Sequence, residues 1–120
     1  MAAMISQLHG TIDQQVTEQA TEHMCELSKL AELRKLMLSM ERSLGLQDLT
    51  PVERDIYYAA NELSENGNGV RTVGLIEHTL LQTVSRPTFF RALKSLVNKG
   101  YLSHCNSVNR GQYTVNGPRI

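Results

Sequence analysis

The 120 residues include 41% apolar and 20% charged side chains, enough for one domain with a modest core or a smaller domain with an attached helix, and too apolar for a disordered chain. The net charge of zero hides a split: residues 1–48 carry Lys29, Arg34, Lys35 and Arg42 against seven carboxylates, whereas residues 85–120 hold six cations and no Asp or Glu. No run approaches the roughly 20 apolar residues of a membrane span, and no basic stretch leads into a hydrophobic run at the start, so a cytoplasmic protein is expected.

Residues 1–10 show no period and read as a flexible tail without a role. Residues 11–45 contain no Pro and no Gly before Gly45, and their apolar residues recur at steps of three and four. That pattern predicts a long amphipathic helix. At 1.5 Å per residue it would run roughly 50 Å, more than a small domain covers along one side. Val16, Ala20, Met24, Leu27, Leu30, Leu33, Met37 and Met40 are therefore candidates for a homodimer interface. The alternative is a break near Ser28 or Ser39 that folds two shorter helices onto one monomer.

Gly45 suits a left-handed helix end, and Thr50-Pro51 with Glu53 three residues on reads as a capping box opening a second helix. Val52, Ile56, Ala59, Ala60 and Leu63 form its expected inner face. After the polar turn Glu65-Asn-Gly-Asn-Gly, a third helix is expected from Thr72 to about Leu81, with Val73, Ile76 and Leu80 inward. Ser85 caps a fourth, in which Pro87 costs nothing because first-turn N–H groups have no helical partner, and Lys99-Gly100 closes it. Tyr101–His104 and Gln112–Val115 then flank a polar loop as a β-hairpin.

If Phe89, Leu93, Leu96 and Val97 face the core, the 100° step turns Arg86, Pro87, Phe90, Arg91, Lys94 and Asn98 outward. A major groove admits such a helix: cations meet its phosphate rims, Arg or Asn reads base edges, and an aromatic ring can meet a thymine methyl. Arg86, Phe90, Arg91 and Asn98 are candidates for groove contact, and Ser85, Thr88 and Lys94 for phosphate contact. Phe90 could equally enlarge the core beside Phe89. Arg110, at the hairpin loop, is either a contact to a narrow minor groove or a solvated tip.

The segment from Ser85 through Leu102, with Ser85, Thr88, Arg91, Leu93, Leu96, Lys99, Gly100 and Leu102 in place, resembles the recognition helix and first wing strand of bacterial winged helix-turn-helix regulators of the multiple-antibiotic-resistance (MarR) type. The resemblance covers about Leu49 to Val115. The turn before Ser85 is longer than the family's and lacks its common glycine. The resemblance implies a mainly α fold with a small β-hairpin wing, in which residues 49–120 form the DNA-binding domain behind the long N-terminal helix. It further implies a transcriptional regulator that binds double-stranded DNA as a homodimer, with helix 85–99 in the major groove and wing 101–115 on the minor groove or backbone. A winged-helix adaptor for protein partners, or a plasmid or phage replication or partition factor, would share this sequence plan.

No cofactor is implied. Cys25 and Cys105 lie 80 residues apart without a ligand-spaced His, and the chain has no phosphate loop, HExxH or nucleophile elbow, so neither a metal site nor an enzyme is expected.

Overall fold

The computed structural model describes residues 2–64, 69–105 and 111–118, with side chains from Glu22 onward. The protein is mostly helical with a small three-stranded antiparallel sheet, and it divides into two compact units, Met1–Met40 and Glu41–Ile120.

The first unit is helix α1, which runs on to Ser43 (Ala2–Ser43). Helical backbone begins ahead of the start expected at Thr11, carries through Gly10, and passes Ser28 and Ser39 without a break. From Met24 to Met40 its large apolar side chains are exposed, including the consecutive Leu36, Met37 and Leu38. No helix among the described residues is long and apolar enough to cross a membrane.

In the second unit, Gly45 takes the left-handed conformation (φ 69°) that a β-carbon would disfavour, and the Gly45 N–H donates to the Arg42 carbonyl at 3.1 Å, closing α1. A single 3₁₀ turn (Leu46–Asp48) follows, and Leu46, which opens it, and Leu49, just after it, are buried, a contribution that the sequence pattern did not suggest. Helix α2 (Pro51–Leu63) starts as expected: the Glu53 N–H donates to Thr50 Oγ1 at 3.3 Å. Its inner face is Ile56, Tyr57, Ala59 and Ala60, joined by Glu53. Leu63, expected inside, is 43% exposed in the last turn, with its Cδ1 near Gly74.

Strand β1 (Val70–Arg71) and helix α3 (Thr72–Glu77) come next, then a 3₁₀ turn (Thr79–Leu81). The third helix thus ends four residues before the expected Leu81. His78 adopts an extended conformation (ψ 143°), and its Nδ1 accepts from the Leu80 N–H at 3.1 Å, capping the turn. This change of winding resets the face. Leu75 and Leu81 are buried, whereas Val73 and Leu80, expected inside, are exposed and Ile76 is partly buried.

Helix α4 (Arg86–Lys99) lies against α2, and Phe89, Ala92, Leu93 and Leu96 enter the same core as Ile56, Ala59 and Ala60. The two alanines leave room for a close approach of the helices. Gly100 (φ 88°) ends α4, as its position after Lys99 implied. The expected two-stranded hairpin is the larger part of a sheet of order β1-β3-β2, where β2 is Leu102–His104 and β3 is Gln112–Val115. Val70 faces Tyr113, and Leu102 faces Val115.

Polar contacts join the pieces. The Tyr57 hydroxyl donates to the Asn116 carbonyl at 2.5 Å, and Asn116 Nδ2 donates at 2.8 Å to both Gly100 O and Ser103 Oγ. Tyr58 donates to the Glu41 carboxylate, which also pairs with Arg54 at 3.8 Å. Burial first, and then the bond to Glu41, raise the Tyr58 pKa well above the usual phenol range. A group with a raised folded pKa contributes stability below its unfolded value, about 10 for tyrosine, and loses it as pH climbs toward the folded value. Tyr58→Phe should therefore lower stability by about 1 kcal/mol below pH ~10 and flatten the alkaline decline, as read from denaturant midpoints at stepped pH. Part of the decline should persist, since burial also raises Tyr57.

Candidate nucleic-acid interface

The outward face of α4 follows from its two ends. Ser85 Oγ accepts from the Thr88 N–H at 3.4 Å and donates to Thr88 Oγ1 at 2.9 Å, so the two hydroxyls lock the first turn. Pro87 fits within that turn, and Phe89, Leu93 and Leu96 fix the rotation of the rest. Arg86, Phe90, Lys94 and Asn98 then form one exposed row at four-residue spacing, with exposed Arg91 alongside. The row spans about 18 Å of helix.

Phe90 is 48% exposed, which resolves the two readings open in the sequence. It stands outside the core and meets buried Phe89 edge-on, with ring centroids 5.2 Å apart and planes at 82°. In the exposed row Phe90 stands between Arg86 and Lys94.

Arg86, Arg91 and Lys94 form no ion pair among the described residues. Lys99 differs. Its Nζ lies 2.8 Å from the Glu53 carboxylate and 3.3 Å from the Asp48 carbonyl, tying the end of α4 to the start of α2. Glu53 is only 5% exposed and also accepts from Thr50 Oγ1 at 3.1 Å, so Lys99 neutralises a buried charge and is not available to a partner. Of the four α4 cations counted in the sequence, three are thus free to meet an anion. Thr88 is partly buried, and because it accepts from Ser85, its own O–H is not consumed by that contact.

Arg110 lies outside the described residues, as do the side chains of Val16 and Ala20. Gly111 accepts from the Thr72 N–H at 2.9 Å and from Thr72 Oγ1 at 3.1 Å, which ties it to the start of α3. Exposed Arg71, on edge strand β1 opposite Gln112, is a further cation of this unit. The sequence reading passed over it; the cue was the β-branched Val70 just before it, alternating inside and outside with Arg71.

A cleft of about 520 Å³ opens elsewhere in this unit, lined by Tyr57, Tyr58, Asn61, Glu62, Asn116 and neighbours. Both tyrosine hydroxyls there donate within the protein, and Asn61, Glu62 and Ser64 also line the cleft. No group of three or more His, Cys, Asp or Glu among the described residues could hold a metal ion.

No protein-family model, no curated protein and no solved structure matches this chain.

Proposed function

We propose that the second unit is a winged helix-turn-helix domain and that the protein is a transcriptional regulator that binds double-stranded DNA as a homodimer. The order α2, β1, α3, turn, α4, β2, β3 is that of a winged helix, in which α4 is the recognition helix and the β2–β3 loop the wing. The observation that carries the reading is the exposed face of α4: three cations without ion pairs, a half-exposed phenylalanine and an asparagine on about 18 Å of helix. In a major groove, Arg86 and Arg91 would reach base edges, Phe90 a thymine methyl, Asn98 a base or phosphate, and Lys94 with the Ser85 and Thr88 hydroxyls the phosphate rim. Arg110 on the wing would reach the adjacent minor groove.

A charge-neutral outward face on α4 would favour a protein-interaction adaptor, and the charged residues of that face are all cations. A replication or partition factor would use the same DNA face and differ only in the site it binds.

Anisotropy of a labelled duplex across a salt series tests the reading. The Arg91→Ala, Lys94→Ala double variant should bind on the order of 100-fold more weakly, with a salt slope shallower by about 2, because each of the two protomers loses the Lys94 phosphate contact with its released counterion and the Arg91 base contact. Both residues are exposed, so the fold should be unaffected. Equal affinity and slope for the two proteins would remove α4 from the interface.

A further inference from the structure

The apolar stripe of α1 changes character along its length. Leu30, Leu33, Met37 and Met40 recur at alternating steps of three and four, a seam of coiled-coil type, and every one of them is exposed. Toward the N-terminus apolar residues recur at Leu27, Met24, Ala20 and Val16, and Glu26, Glu22 and Glu18 recur separately, each four residues from the next.

Charge divides at the same place. Residues 1–28 contain Asp13, Glu18, Glu22 and Glu26 and no Lys or Arg, whereas residues 29–43 contain Lys29, Arg34, Lys35 and Arg42 against Glu32 and Glu41. The helix dipole does not account for this, since its influence fades within the terminal turns, and the first turn holds no acid. Glu18, Glu22 and Glu26 recur at four-residue spacing, where like charges repel, and the first cation of the helix to follow them is Lys29. An opposite charge from a partner would offset that repulsion.

We propose that the two α1 helices of the dimer pair antiparallel, so that the acidic half of each lies beside the cationic half of its partner. The inference rests on the homodimer reading above and adds its geometry. Two parallel helices in register would set acidic half against acidic half. They would also bring Lys29 of one copy, flanking the seam, opposite Arg34 of the other on both sides of the two-fold axis. Antiparallel pairing turns the same charges into attractions in a contact that a two-fold axis repeats, and a second copy of this chain supplies the complementary halves without any other partner.

Inter-label distances decide the orientation. One spin label is placed on native Cys25 in a Cys105→Ser protein, and another on Ser39→Cys in a Cys25→Ser, Cys105→Ser protein; Cys25 and Ser39 are both exposed. In an antiparallel pair crossing between these positions, the two separations along the axis add to about 42 Å, and wherever the crossing lies at least one exceeds about 20 Å. In a parallel pair both labels face their own copies across about 10 Å of helix spacing. A dimer with a long distance from at least one site is the expected result; a dimer with both distances short overturns the antiparallel arrangement and leaves the homodimer standing. A monomer by sedimentation at tens of micromolar overturns both. Independently, Glu22→Lys with Glu26→Lys should weaken the dimer about tenfold or more, and unchanged dimerisation would contradict the proposal, because in a parallel pair the double reversal only exchanges one like-charge contact for another.

Discussion

Leu33→Glu should convert the protein to a monomer and weaken its grip on an operator-length duplex by about two orders of magnitude or more. Leu33 is 56% exposed, and leucine and glutamate have similar helix propensities, so the substitution leaves the single chain within about 0.5 kcal/mol of its original stability. In the proposed dimer the same change buries a carboxylate in an apolar seam with no cation placed to meet it. Loss of the dimer then removes the effective concentration by which one bound domain holds the other on its half-site, a gain on the order of 10² to 10⁴. Sedimentation and anisotropy on the same sample check both halves of this expectation. A Leu33→Glu protein that stays dimeric would separate the stripe from the interface.

The second large effect lies in the core. Phe89→Ala should cost about 3–5 kcal/mol, since Phe89 is 2% exposed and sits where α4 meets the rest of the buried cluster. Native stabilities run about 5–15 kcal/mol, so this is a large share of the total, and the melting temperature should fall by well over 10 °C. The consequence is also local. Phe89 sets the rotation of α4 and supports the exposed Phe90 ring edge-on, so DNA binding should fail even at temperatures where the variant remains folded. Phe90→Ala, by contrast, should leave the melting temperature within a few degrees, because that ring covers surface and fills no core space.

The contrast between these neighbouring phenylalanines shows how far the sequence could be read. Helix α4 was legible because both ends carry punctuation, Ser85 with Pro87 at one and Lys99-Gly100 at the other, and because Phe89, Leu93 and Leu96 keep a strict helical period between them. The same logic located α2 and the two hairpin strands. What escaped it depended on partners remote in the chain. Strand β1 is two residues long and exists through pairing with Gln112 and Tyr113, some forty positions away. The role of Lys99 depends on Glu53, 46 positions away, and turns a cation counted toward the DNA face into a structural one. Helix α3 stops at His78 with neither Gly nor Pro to mark it, and the change to a 3₁₀ turn moved the inner face from Val73 and Leu80 to Leu75 and Leu81. Leu46 and Leu49 sit in a turn too short to show any period, yet both are core residues.

Backbone amide shift mapping of the intact protein, titrated with a short duplex at low salt, tests the DNA-binding claim most directly. The account predicts that the largest changes fall on residues 85–98, with a second group around the β2–β3 loop and Arg71, and that they fade as salt is raised. Changes confined to α1, or none at millimolar duplex, would contradict it and point to a partner other than DNA.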